Sequence, residues 1–382
     1  MAIFDMPFTG DEMFKMWTAA FFRKNYVMLI AFFAALVTSF FVPPDREYLS
    51  YYDFKTLSCL FCVLAVVCAY KNINFFYILA KKVVVLFKNA RMSILALVYI
   101  TFIGSMLIAN DMALLTFLPL GYFVLHATGK EKYMAFTFIM QNIAANLGGM
   151  LTPFGNPQNL YLYSKFGIPN SEFFAIMAPP FALSVILITL CCVVLVKGEP
   201  LCFEKDRVCL DKGRAVLYSL LFILAIAIVF RGIPYPIGLA VIPAVLFFAD
   251  RKSLKMVDYP LLFTFFFFFT FSGNMSRIYA VREFLSGLLE KSTLFVSTMS
   301  CQVISNVPSA ILLSQFTKNY RDLLVGVNIG GVGTLIASLA SLITFREYVK
   351  YNPGKSGYYI VRFSLYNFSF LAILLGFMQI LK

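Results

Sequence analysis

The stretch Asn146-Leu-Gly-Gly-Met-Leu-Thr-Pro-Phe-Gly-Asn-Pro-Gln-Asn159 places three glycines, two prolines and three asparagines inside an otherwise apolar region. No continuous helix suits that composition, because proline removes a backbone donor and glycine frees the chain. A second stretch, Asn328-Ile-Gly-Gly-Val-Gly-Thr-Leu-Ile-Ala-Ser338, keeps Asn, Gly, Gly and Thr in register at an offset of 182 (328 minus 146, 334 minus 152). Each follows a short polar step, Asn110-Asp111 in the first case and Ser305-Asn306-Val307-Pro308 in the second. A helix broken at apolar depth presents N–H groups of partial positive charge to an anion and free carbonyls to a cation. Gly148, Gly149, Gly155, Gly330, Gly331 and Gly333 permit the unwinding, and Pro153, Pro157 and Pro308 end helical turns. Asn110, Asn146, Asn156, Asn159, Asn306 and Asn328, with Thr152, Thr334, Ser305 and Ser338, add neutral oxygens and amides. Such a set could hold Na⁺ or the polar head of a substrate. Packing is the alternative, since small residues also let membrane helices approach closely; two copies in the same order favour the binding site.

Asp111 is the only acidic residue between Arg91 and Glu131. A carboxylate at that depth reads as a proton carrier or cation ligand, against the simpler role of a cap satisfied by backbone N–H groups. The second copy has Val307 there, so one half alone carries the charge. The lone His126, beside Lys130, reads as interfacial packing rather than a proton relay. Eight cysteines show no metal spacing and read as small buried hydrophobes or free thiols. No nucleophile, base and orienting group occur together, which argues against an enzyme, and nothing calls for a cofactor beyond a coupling ion.

The elements that position these residues follow from composition. Of 382 residues, 60% are hydrophobic and 13% charged, with a mean hydropathy of +0.81, which implies an all-α polytopic membrane protein. The net charge of +13 reflects membrane topology rather than a nucleic-acid partner, because Lys and Arg cluster between apolar stretches. About nine full spans are expected, with two broken helices and two re-entrant hairpins. The limb after Asn306 has only Val307 to Thr317 before charge returns; it reaches about 16 Å, half a bilayer, and must turn back. The limbs around Asn110-Asp111 are each long enough to cross, so composition leaves them open and only the repeat makes them a hairpin. Lys71 to Arg91 alternates apolar and basic positions and suits an interfacial helix.

The expected organisation is an amphipathic segment 1–25 without signal-peptide character, a first inverted repeat 26–196, a cytoplasmic linker 197–214 and a second inverted repeat 215–382. With the amino terminus inside a bacterial cytoplasmic membrane, 22 of the 32 Lys and Arg residues fall on the cytoplasmic side, in accord with the positive-inside rule. Inverted repeats with discontinuous helices are the architecture of secondary transporters.

Ala109-Asn-Asp-Met-Ala113 with the downstream Asn-Leu-Gly-Gly-x-x-Thr-Pro-x-Gly-Asn-Pro, and Ser305-Asn-Val-Pro308 with Asn-Ile-Gly-Gly-x-Gly-Thr-Leu-Ile-Ala-Ser338, resemble the ion transporter superfamily. That group includes citrate and dicarboxylate permeases, arsenite permeases and one type of sodium/proton antiporter. The resemblance extends from about residue 26 over nearly the whole chain. It implies a dimerising scaffold domain and a transport domain that moves as an elevator, hence a homodimer in lipid. It also implies sodium and substrate at the tips and breaks, with Na⁺ at Asn110/Asn146 and Asn306/Asn328. The tips Ala-Asn-Asp and Ser-Asn-Val depart from the Ser-Asn-Thr of sodium-coupled dicarboxylate carriers and lean toward the arsenite-permease and antiporter side. One amino-terminal helix is expected to have been lost or replaced by residues 1–24. The resulting expectation is a carrier of a small di- or tricarboxylate or inorganic oxyanion, coupled to Na⁺ or H⁺. Na⁺/H⁺ antiport and arsenite efflux are the alternatives, and a channel or membrane scaffold the alternative class.

Overall fold

The computed structural model describes residues 25–84, 86, 87, 89–201 and 211–381. The amphipathic segment expected over residues 1–24, the middle of the 197–214 linker, and Cys202 and Cys209 lie outside the described residues. In chain order the helices are α1 (Tyr26–Phe41), α2 (Tyr48–Tyr51), α3 (Phe54–Asn72), α4 (Phe75–Val84), α5 (Ala90–Ile108) and α6 (Asn110–Ala127). Next come α7 (Met134–Gly148), α8 (Pro157–Lys165), α9 (Asn170–Leu195), α10 (Lys212–Val229), α11 (Tyr235–Ala249) and α12 (Arg251–Met256). The chain closes with α13 (Tyr259–Arg277), α14 (Tyr279–Ile304), α15 (Asn306–Leu313), α16 (Tyr320–Ile329), α17 (Leu339–Tyr351) and α18 (Ser356–Ile380).

The protein is an all-α polytopic membrane protein. Among the described residues, five helices are long and apolar enough to cross a bilayer: α3, α5, α9, α10 and α18. Many helices start where a polar side chain accepts from the open first turn: Asp53 from Thr56 N at 2.9 Å, Asn89 from Arg91 N at 2.9 Å, Asp258 from Leu261 N at 3.1 Å and Ser338 from Ser341 N at 3.2 Å.

Two compact units result. The first takes in the described residues 25–52 with 258–282, in which α1 packs along α13. Asn274 reaches Thr38 Oγ1 at 3.2 Å and Ser39 Oγ at 3.3 Å, and Arg277 grips Asp45. Of the five consecutive phenylalanines, Phe265, Phe268 and Phe269 are buried and Phe266 is exposed, a division of bulk between core and periphery.

The second unit takes in the described residues of 53–257 and 283–381. Its α3, buried along most of its length, packs against α10, α11 and α12. Polar ties at one end hold them together: Asn72 Nδ2 reaches Asp250 Oδ2 at 2.9 Å, as does Tyr218 OH at 3.0 Å. The described cysteines are free, and all but the half-buried Cys191 are buried. The basic stretch expected to lie at the interface contains α4, with Ile78 buried and Leu79 and Lys82 exposed.

The rest of this unit forms the candidate site. Helices α5 and α6 pack along each other as a hairpin and against α7. One residue, Ala109, turns these limbs back on each other. Downstream of a break at Ser292 in α14 (φ −164°, ψ 95°), the chain makes a second hairpin with α15. Helices α7 and α8 are the two halves of one broken helix, and α16 and α17 those of another; α16 packs on both α7 and α8, and α17 on α7.

Candidate functional site

Both hairpins turn on the same backbone device. Ala109 (φ 64°, ψ 151°) and Ser305 (φ 73°, ψ 160°) occupy a region that normally belongs to glycine, at a cost of about 1–3 kcal/mol each. The next residue is asparagine in both. Asn110 Oδ1 accepts from Asp111 N at 3.0 Å and Asn306 Oδ1 from Val307 N at 2.9 Å, so each side chain caps an N–H of the limb it begins. Pro308 falls in the first turn of α15, where its missing N–H costs nothing.

The breaks are tied back to the hairpins by matched threonines. Thr152 Oγ1 donates to Met106 O at 2.7 Å and Thr334 Oγ1 to Gln302 O at 3.1 Å. The pairs correspond under the repeat, 182 apart on the break and 196 apart on the hairpin (302 minus 106, 306 minus 110). Within the first break, Asn159 Nδ2 lies 3.2 Å from Gly149 O, 3.1 Å from Met150 O and 3.2 Å from Thr152 O. Within the second, Gln302 Nε2 reaches Gly330 O at 2.9 Å and Val332 O at 3.2 Å, while its Oε1 accepts from Thr334 N at 2.8 Å. One amide therefore gathers the carbonyls that each unwound segment leaves without helical partners.

The glycines allow this compaction. A methyl on Gly148 would sit 2.3 Å from Phe102 O, and one on Gly155 would sit 2.3 Å from Gly149 O. Gly333, at φ 130°, is the one break glycine whose backbone itself requires glycine.

The asparagines converge. Asn110 Nδ2 donates to Asn146 Oδ1 at 3.3 Å, and Asn146 Nδ2 to Asn142 O at 3.1 Å. A methyl on Gly331 would lie 3.3 Å from Asn146 Oδ1 and 3.2 Å from Asn306 Nδ2. Both hairpin tips thus meet at Asn146 and the Gly331 backbone. A second cluster joins Asn156 Nδ2 to Asn328 Oδ1 at 3.2 Å and Asn328 Nδ2 to Asn159 Oδ1 at 2.6 Å. Asn110, Asn146, Asn156, Asn159, Asn306 and Asn328 are all buried, so any polar group admitted among them meets unscreened amide dipoles. The starts of α6 and α15 add partial positive charge at the tips. Asp111 is half-buried one residue below the first tip. Pro153 is buried within the first break, and Ser338 caps α17, sharing a 3.0 Å hydrogen bond with Ser341 Oγ.

Gln302, Asn142, Ser341 and Asn367 were absent from the sequence-derived set. Asn142 Nδ2 lies 3.3 Å from Ser341 Oγ and 3.5 Å from Asn367 Oδ1, and thereby backs Asn146 from behind. Two of them carried a local signal: Asn142 stands one helical turn before Asn146, and Gln302 one turn before Asn306. Asn367, in an apolar helix 225 residues from Asn142, carried none.

Outside the site, His126 is exposed, hydrogen-bonded through Nδ1 to Glu131 Oε1 at 2.9 Å and stacked on Tyr122. Glu199 lies 2.6 Å from Lys130 Nζ and 2.5 Å from Lys132 Nζ, and their hydrogen bonds hold its carboxyl down at about 2. Because Ala90 N also donates to Glu199 O at 2.8 Å, the segment after α9 clamps the base of the first hairpin.

Sequence similarity gives the family. The citrate transporter profile matches residues 13–321. An uncharacterized transporter of Methanocaldococcus jannaschii is 32% identical over 298 residues, covering 77% of this chain and 81% of the relative. The inner membrane protein YbiR of Escherichia coli is 27% identical over 315 residues, covering 81% of this chain and 84% of the relative. The protein is an integral membrane protein, and the chain belongs to the citrate transporter family.

Proposed function

We propose that the protein is a secondary active transporter of a small di- or tricarboxylate or inorganic oxyanion, coupled to Na⁺ or H⁺. The observation that carries this reading is the meeting of both hairpin tips at Asn146 and the Gly331 backbone, where the two broken helices bring their asparagines together. Amide N–H groups and the starts of α6 and α15 would receive the anion, and amide and backbone oxygens of the two Asn pairs would receive the cation. The helices α5–α9 and α14–α18 would carry the site between the two faces as an elevator, against a scaffold built on α3 and α10–α12, in a homodimer whose amino termini face the cytoplasm.

A second reading, Na⁺/H⁺ antiport, draws on a specific feature: Asp111 is a carboxylate next to one tip, and the other tip has Val307. Thermal stability of the purified protein separates the two. Na⁺ would be titrated at fixed ionic strength across pH, then citrate, succinate, sulfate and phosphate added; a ligand at a hundred times its Kd adds about 2.7 kcal/mol. An anion that stabilises only with Na⁺ or at low pH supports coupled anion transport. Stabilisation by Na⁺ alone, rising with pH and indifferent to every anion, would replace that reading with antiport.

A further inference from the structure

The corner between α3 and α4 and the flank of α6 line an open cavity of about 190 Å³, far more than one water needs. Lys71, Asn74 and Tyr77 line it from the corner, and Leu115, Thr116 and Pro119 from α6. The corner is sharp: Asn74 takes φ 52°, a left-handed conformation that asparagine tolerates, and turns the chain within two residues. Thr116 stands six residues, about 9 Å, along α6 from Asn110, so the cavity lies beside the limb that leads from the hairpin tip to the hairpin base.

Its two walls differ in hydrogen-bonding character. Among the described residues, no hydrogen bond or ion pair engages the Lys71 ammonium, the Asn74 amide or the Tyr77 hydroxyl. Lys71 and Asn74 are exposed and Tyr77 half-buried, so one charged donor and two groups that can donate line the open side of the cavity, solvated until a ligand replaces water. On the other wall, Pro119 lacks the N–H that would have bonded Leu115 O. Thr116 Oγ1 spends its proton on Met112 O at 2.8 Å and keeps lone pairs to accept with. Donors with one positive charge opposite neutral acceptors suit a small carboxylate that also bears a hydroxyl or a protonated carboxyl group. A phospholipid headgroup fits less well, because surface recognition of anionic lipid relies on clusters of basic residues and this cavity has Lys71 alone.

We propose that this cavity is a second station for the transported anion, between the central asparagines and the face on which α6 ends. The proposal rests on the anion-carrier reading above. By the Lys and Arg count that face is cytoplasmic, so Lys71 would capture substrate arriving from within or receive it on release.

The test is sided transport of radiolabelled citrate in proteoliposomes of one orientation, with succinate, sulfate and phosphate as further probes. Lys71→Gln should raise KM roughly five- to tenfold on the face where α6 ends, through loss of a charge-assisted contact, and leave KM on the opposite face unchanged. Lys71→Arg should stay within roughly twofold, and Tyr77→Phe should raise the same one-sided KM by roughly two- to threefold. Equal KM values for Lys71→Gln and wild type on both faces, beside an inactive Asn146→Ala control, would overturn the cavity proposal and leave the central site standing. A Lys71 effect seen only in vesicles rich in phosphatidylglycerol, and lost in phosphatidylcholine, would also overturn it by making the cavity a lipid seat. A wild type that carries none of the four anions would bring down the anion-carrier reading and this proposal with it.

Discussion

The first hairpin and break, and the second hairpin and break, reach one backbone geometry by different side chains. Both tips turn on a non-glycine residue at positive φ followed by asparagine, and both breaks hang from the hairpin by a threonine hydroxyl. The amide that gathers the loose carbonyls comes from opposite directions. In the first module Asn159 on α8 supplies it, so the break is held by its own second half. In the second, Gln302 on α14 supplies it from the hairpin limb, and Asn306 N adds a 2.9 Å bond to Ala337 O. The second hairpin and break are thus knit into one piece, while Thr152 and the Asn110–Asn146 pair join the first. The repeat preserves shape, and chemistry is free to diverge on it, as Asp111 against Val307 also shows.

The largest expected effect separates a break glycine of the first module from one of the second by the room around each. Gly148→Ala would drive a methyl to 2.3 Å from Phe102 O, whereas Gly331→Ala meets nothing nearer than 3.2 Å. The first should abolish detergent-stable protein, and the second should yield folded protein with weakened ligand binding; size-exclusion profiles of both variants check this. Next, Asn146→Ala should remove transport by more than roughly a hundredfold while keeping most of the thermal stability, because it releases one side-chain donor, Asn110 Nδ2. Asn328→Ala, which strips partners from Asn156 and Asn159, should lose both. Normal uptake in either variant would sink the paired-site reading.

Gln302→Ala should destabilise by about 1–3 kcal/mol by leaving buried carbonyls without a donor, and Asn159→Ala by a similar amount. If the second module is one piece, Gln302→Ala should also loosen the hairpin, seen as faster amide exchange at α15, while Asn159→Ala should leave α6 protected. Asp111→Asn should alter the pH or Na⁺ dependence of transport without stopping it, and Val307→Asp should not transfer that dependence to the other tip. An unchanged ion profile for Asp111→Asn returns the residue to a capping role.

The smallest effect concerns the clamp at the base of the first hairpin. Hydrogen bonds from Lys130 and Lys132 lower the Glu199 carboxyl from 4.5 to about 2. A depressed carboxylate stabilises fully above its unfolded value and loses that contribution as pH falls toward 2. Glu199→Gln should therefore flatten the pH dependence of thermal stability across that window and leave it unaltered near neutrality.

Much of the fold was legible because breaks are written in residue types that act locally. Helix α7 ends at Gly148 and α8 starts at Pro157, where glycine and proline direct them. The short limb after Asn306 becomes α15, Asn306–Leu313. Length could not settle the first hairpin, because α5 is itself long enough to span, and the turn that pairs it with α6 falls on Ala109, a residue without turn preference. The carbonyl ties were illegible for another reason. A glutamine in an apolar helix looks the same whether it faces a cavity or holds four backbone groups, and the partners of Gln302 lie about 30 residues away. The Asn142–Asn367 contact is more remote still, and no local pattern encodes it.

Alanine and serine at the two turning points have a mechanical consequence. With a Cβ in place, Ala109 and Ser305 have few neighbouring backbone conformations to move into, so each corner works as a stiff knuckle rather than a swivel. Strain that a glycine would dissipate locally is passed along the attached limbs. Any rearrangement that exposes the central asparagines must then shift α5 with α6, or α14 with α15, as levers of fixed angle.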